Sequence, residues 1–206
     1  MDTRSRQDER RYHHGDLRAA LLCAAEDELT AHGVEGFSLR SVAKRAGVSH
    51  AAPAHHFGDV TGLLTALTAE GFRRFLAMQN AREAVAERDP KSQLVAAGLG
   101  YIDFAMSSPA LFRLMFSSAK PDRTSEDLIA AGGAAYGHLV AQVAAAGGEV
   151  SPDKGPTADV LSLWVVAHGL ADLISARPMR QIADMPKDQR DAFFAEIIGR
   201  ALPSGA

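Results

Sequence analysis

The stretch Phe37–Phe57 (FSLRSVAKRAGVSHAAPAHHF) holds Arg40, Lys44 and Arg45, three histidines, and no acid. Guanidinium and ammonium groups bind phosphate as charges, and imidazole can donate to or accept from a purine edge. A second set is Trp164, His168 and Asp172, spaced i, i+4, i+8 and therefore on one helix face. There an aspartate could fix a histidine tautomer, as in catalytic dyads. Adding Ser162 or Ser175 would sketch an enzyme centred on His168. Neither serine lies one turn from His168 on that face, however, and no G-x-S-x-G elbow occurs. A packed Trp–His pair beneath a kink at Gly169, or the wall of a ligand cavity, is the simpler reading. No catalytic residue is assigned, and no enzyme is expected.

Metal and cofactor chemistry find no better footing. Cys23 is the sole cysteine, and His55 and His56 are adjacent, which rules out the i, i+4 face of a helical zinc pair. There is no phosphate-loop motif and no H-E-x-x-H, and Gly98 and Gly100 lack the third glycine of G-x-G-x-x-G. No cofactor and no metal are expected.

The basic stretch needs a scaffold, and the sequence supplies one. Ser38 can cap a helix whose apolar side is Leu39, Val42, Ala43 and Ala46. Gly47 allows a tight turn, Val48 plugs the corner, and Ser49 can cap a second helix running to Phe57. Two short helices across such a turn form a helix-turn-helix, whose second helix enters the major groove. A preceding helix, Gly15 to His32, turns Leu17, Leu21, Ala24, Ala25 and Leu29 inward and stops at Gly33. Residues 1–9 are polar and expected to be disordered. Arg4, Arg6, Arg10 and Arg11 offer a basic arm, although a frayed terminus is the commoner outcome.

The totals set limits. The chain has 206 residues, 47% hydrophobic and 23% charged, which suits a folded globular protein with a real core. A net charge of −3 gives no global case for nucleic acid, so that case is local. Residues 1–60 carry eight Lys and Arg against nine Asp and Glu, the acids flanking the basic stretch. No signal segment opens the chain, and no apolar run was found to approach a membrane span. A cytoplasmic, all-α protein without membrane contact is expected.

From Tyr12 to Phe57 the residues YHHGDLRAALLCAAEDELTAHGVEGFSLRSVAKRAGVSHAAPAHHF resemble the N-terminal domain of the TetR family of bacterial transcriptional regulators. The HG-x-x-G-F-S turn, Ala43, the A-G-V-S turn and the closing HF carry the likeness. The resemblance implies phosphate contacts at Ser38, Arg40, Ser49 and His56, and base-facing positions at His50, Ala51 and His55. Three residues depart from it. Ala54 stands where a tyrosine is usual and Val60 where a lysine is usual, removing two phosphate contacts and with them affinity and salt dependence. Pro53 removes a backbone donor about one turn into the recognition helix. DNA binding weaker than is usual in the family is expected.

Beyond Gly58-Asp59 a helix to about Arg88 is apolar on more than one side, through Leu63, Leu64, Leu67, Phe72, Phe75, Leu76 and Met78. The resemblance makes it the link to a ligand domain, whose shift carries the signal. The expected division is a DNA-binding domain over 1–58 and a helical ligand-binding and dimerisation domain over 59–206. Caps at Asp89-Pro90, Ser108-Pro109 and Gly155-Pro156, with Thr124 and Asp127 as a capping box, bring the total to about nine helices. SPALFRLMF and WVVAHGLADL resemble the C-terminal domain of a subgroup marked by Trp-x-x-x-His-Gly.

Tyr101, Phe104, Phe112, Met115, Phe116, Tyr136, Trp164 and His168 supply material for either a core or an effector pocket, with Tyr101, Tyr136, His138 and His168 as polar tips. Leu163, Val166, Leu170, Leu173 and Ile174, with Phe193, Phe194, Ile197 and Ile198, suggest a homodimer through the last two helices. A dimer predicts a palindromic double-stranded operator. The expectation is a ligand-responsive regulator, acting as a repressor, released by a small apolar effector. The alternatives are a helical ligand-binding module impaired in DNA binding and, less well supported, the His168 enzyme.

Overall fold

The computed structural model describes residues 3–151, 153, 155–175 and 180–203, with side chains from residue 17 onward except those of 180 and 183. Ten helices follow one another: α1 (Thr3–His32), α2 (Leu39–Arg45), α3 (Ala52–Phe57), α4 (Val60–Glu83), α5 (Pro90–Ser107), α6 (Pro109–Ser117), α7 (Glu126–Ala145), α8 (Ala158–Ser175), α9 (Arg180–Ala183) and α10 (Lys187–Gly199). α9 is a single turn, so the longer helices number nine, as expected. The described residues contain no strand. The chain is all-α.

Two compact units result: Met1–Gly71 with Arg113–Ile129, and Phe72–Phe112 with Ala130–Ala206. The first unit thus extends past residue 58 into α4. Leu63, Leu64 and Leu67, all at most 1% exposed, join the first core from α4. The first unit packs Leu21, Ala25, Leu29, Phe37, Val42 and Ala43 around the α1–α2 contact. Thr65 on α4 accepts from the Asp122 amide at 2.8 Å within the same unit.

α1 begins at Thr3, so the polar run expected as a disordered arm is helical along its backbone. Arg, Gln and Glu favour helix, and neither Pro nor Gly interrupts before Gly15. The side chains of Arg4, Arg6, Arg10 and Arg11 lie outside the described residues. α4 ends at Glu83, short of Arg88, because the Gln93 amide donates to the carbonyls of Glu83 at 3.0 Å and Glu87 at 2.8 Å. Those bonds satisfy carbonyls that a helix end leaves open.

In the second unit α5 is central, packing on α8 and α10. Its core joins Leu94, Ile102, Val143, Val160, Leu163, Ile174, Phe194 and Ile198. A Cβ at Gly100 would stand 2.6 Å from the Gln79 Cα, so glycine is what lets α5 approach the α4 backbone. α8 continues without a break through Gly169, where a kink was expected. Asp89 caps α5 as predicted, accepting from the Ser92 amide. Thr157, in place of Gly155-Pro156, accepts from the Val160 amide at the head of α8. Thr124 donates its hydroxyl to Asp122.

One composition reading needs correction. α7 and α8, with mean hydropathy 1.3 and 1.4, are long and apolar enough to cross a membrane. Leu, Val and Ile raise the value in both helices, with alanine adding to it in α7. Both helices contribute to the second core, α7 through Val143 and α8 through Val160, Leu163 and Ile174.

Candidate nucleic-acid interface and aromatic cluster

The Ser38 hydroxyl caps α2, accepting from the Ser41 amide at 3.3 Å. Gly47 turns the chain at φ +67°, and the Val48 amide closes the turn on the Ala43 carbonyl at 3.0 Å. α3 then starts later than expected. Its N-cap is Ala51, which has no side-chain bond, and Ser49 does not cap it. Pro53 falls in the first turn of α3, where an amide would have no partner inside the helix, so its missing donor costs the helix nothing. The Arg18 guanidinium lies 5.4 Å above the Phe57 ring and ties α1 to the end of α3. Asp59 caps α4 by accepting from the Gly62 amide at 2.8 Å.

Arg40, Ser49, His50, Ala51 and His55 are exposed, as are Lys44 and Arg45, while Ser38 and His56 are half-buried. His56 sits between His55, 5.5 Å away, and Phe57, 6.1 Å away. His50 and Ala51 stand in the turn before α3, where helix positions were expected. The structure thus gathers a basic, imidazole-bearing surface on the α2–α3 corner.

Sequence reasoning missed Glu28. It is 1% exposed on α1, with Oε2 accepting from Arg45 Nε at 2.6 Å and Oε1 3.2 Å from His32 Nδ1. Burial pushes its carboxyl up, but the bonds and charges of Arg45, His32 and Ser41 outweigh burial and hold it below the usual range. The signal was available: an acid on the stripe of Leu21, Ala25 and Leu29 must face inward.

In the second unit Tyr101, Phe104, Phe112 and His168 form one cluster, completed by Phe75. Ring centroids lie 4.6 Å apart for Phe75–Tyr101, 5.5 Å for Phe75–Phe104, 5.9 Å for Tyr101–Phe112 and 5.4 Å for Phe112–His168. Most pairs are edge-to-face, the favoured aromatic geometry. Tyr101 Oη lies 2.7 Å from His168 Nδ1, within hydrogen-bond distance. Burial lowers the His168 pKa more than the Asp172 charge raises it, and burial raises that of Tyr101. Both groups are neutral at pH 7.

His168 Nδ1 pairs with Tyr101, while Asp172 acts on the ring through its charge. Ser175 is engaged with the Ala105 carbonyl at 3.2 Å, and Ser162 is exposed. Tyr136, 37% exposed, meets Trp164 at 6.1 Å on the rim. Met115, 1% exposed, and half-buried Phe116 belong to the first unit. His138 bonds Glu83 at 2.6 Å, and Gln142 donates to the same carboxylate at 3.0 Å. Next to Glu83, Arg82 reaches Asp103 at 2.6 Å and Asp191 at 2.8 Å, joining α4, α5 and α10. The described residues hold no cluster of three or more metal-ligating side chains.

Two family profiles match the chain. "Bacterial regulatory proteins, tetR family" covers residues 21–67, and "Tetracyclin repressor-like, C-terminal domain" covers 94–201. The HTH-type transcriptional regulator BetI of Burkholderia ambifaria is 35% identical over 95 residues, 46% of this chain and 49% of the relative. The chain thus matches about half the length of that curated relative. A Rhodococcus sp. RHA1 protein of unknown function is 34% identical with TM-score 0.72, covering 93% of this chain and 97% of that one. A TetR family transcription regulator from Marinobacter aquaeolei VT8 shares the fold at TM-score 0.72 and 18% identity, covering 93% and 98%. With matched profiles at both ends and a relative aligned along nearly its whole length, the chain belongs to the tetR family of bacterial regulatory proteins.

Proposed function

We infer that the protein is a cytoplasmic, DNA-binding transcriptional regulator that answers to a small molecule and acts as a repressor. The exposed, acid-free α2–α3 corner carries this reading. Arg40, with the hydroxyls of Ser38 and Ser49 and the imidazole of His56, would hold phosphates, while His50, Ala51 and His55 would face base edges. None of the last three is Arg, Gln or Asn, so base discrimination per half-site should be modest.

The second unit would bind the effector at the aromatic cluster. The subgroup marked by Trp-x-x-x-His-Gly fits, because Trp164 and His168 converge on Tyr101. α4 contributes residues to both units and is the natural coupling element. Effector and DNA would each favour a different state of it, so each lowers the affinity for the other.

A homodimer through α8 and α10 would use fewer of the residues than their pattern suggested. Leu163, Ile174, Phe194 and Ile198 are at most 5% exposed within their own protomer. The free apolar side is Leu161, Val165 and Leu173 with Phe193, and a Cβ at Gly169 would meet nothing within 4 Å.

Footprinting on the DNA upstream of the protein's own gene, at stated salt and with and without small-molecule extracts, tests the reading. The expected result is a protected palindrome that an extract releases. Absence of protection at low salt would sink it and favour a ligand-binding module, for which Ala54 and Val60 are the motive.

A further inference from the structure

Among the described residues Glu28 is the only charged side chain that is buried. It takes a core position where a leucine would pack without desolvating a charge. Its partners show what the carboxylate does. Arg45 bonds it from the last turn of α2, Ser41 lies one turn earlier on the same helix beside the cleft, and His32 flanks it from α1. With Lys44 these residues line a cleft of about 390 Å³.

α2 has seven residues, about half the length at which an isolated helix holds. Its buried apolar anchors are Val42 and Ala43, both 0% exposed. Apolar contact is non-directional, so two small side chains hold α2 down without fixing its rotation. Hydrogen bonds are directional, and a carboxylate bonded to Arg45 Nε at 2.6 Å fixes that rotation. Arg40 is adjacent to Ser41, and the Ala46–Gly47 turn into α3 follows Arg45 directly.

We propose that Glu28 is a positioning residue for DNA binding, holding α2 in the rotation that presents Arg40 and the start of α3 to the duplex. The proposal rests on the DNA-binding reading above. Glu28 itself touches no DNA, since it is 1% exposed. Its pKa, held low by Arg45, His32 and Ser41 against burial, keeps the carboxylate charged at neutral pH.

The test uses the full chain and a labelled duplex from the gene's own upstream region. Glu28→Gln should stay folded and bind about tenfold more weakly. The slope of log affinity against log salt should stay that of the wild type, because no phosphate contact is lost. Arg45→Gln should lose a similar factor, and the double variant no more than either single one. Undiminished affinity in a folded Glu28→Gln variant, a reduced salt slope, or additive losses would each overturn the proposal. Amide exchange without DNA separates this failure from failure of the regulator reading. Glu28→Gln should speed exchange at Ala46 and Val48 while leaving Leu21–Leu29 protected, and unchanged exchange there would overturn the proposal even if the wild type binds no DNA.

Discussion

Each unit is organised around a buried polar node, and the two nodes are satisfied by opposite means. In the first, Glu28 is a full charge held by Arg45, His32 and Ser41. In the second, Tyr101 and His168 form a neutral hydrogen-bonded relay inside a shell of Phe75, Phe104 and Phe112. The difference follows the surroundings. α2 contributes little apolar area and needs directional, charge-assisted bonds. The aromatic cluster buries large rings, where a charge would be costly and a neutral relay is enough. The charged node orients a surface, whereas the neutral node shapes an interior.

The contrast is open to test, first at its strongest point. If the second node rests on aromatic packing, Phe104→Ala should cost about 4 kcal/mol, since Phe104 is 0% exposed. Trp164, the single tryptophan, reports the loss as a lowered denaturant midpoint in its fluorescence. A cost below that of an exposed-site change would show that the cluster is loosely packed.

Removing the relay without the ring comes next. Tyr101→Phe removes the hydroxyl that bonds His168 Nδ1, and should cost about 1–2 kcal/mol. A variant as stable as the wild type would mean that the relay orients groups without stabilising the fold.

Acidification should produce the smallest effect and should reach the two nodes in order. The folded pKa of His168 lies below its ordinary 6.5, so the stability it confers is whole above pH 6.5. As pH falls further the unfolded chain binds the proton first, and that stability declines. The folded pKa of Glu28 lies below its ordinary 4.5, so its contribution persists to that pH and is lost only as pH falls through the folded value. Thermal midpoints followed by Trp164 fluorescence should drop as pH falls below 6.5, and His168→Gln should flatten that drop. Persistence of the full drop in His168→Gln would move its origin elsewhere.

Much of this was legible in the sequence. Ser38 as a cap, Gly47 as the turn and the Leu21–Leu29 stripe depend on local spacing, and the structure keeps each of them. The start of α3 was not legible, because Ser49 is the better cap by type, yet the helix begins at Ala52 behind an uncapped Ala51, with Pro53 in its first turn. The apolar run on α8 was legible, but not which side faces inward. Leu163 and Ile174 turn into the core while Val165 is 66% exposed, because helix spacing is the same for both and the neighbours α5 and α10 make the choice.

The sequence by itself determined the helical class, the corner at Gly47 and its basic, acid-free face, since these follow from side-chain type and near-neighbour spacing. Only tertiary structure decided that Glu28 meets Arg45 across 17 residues and that His168 meets Tyr101 across 67. Both pairings join helices distant in the chain. The helices share too little local pattern to foretell which polar groups burial will leave in need of each other.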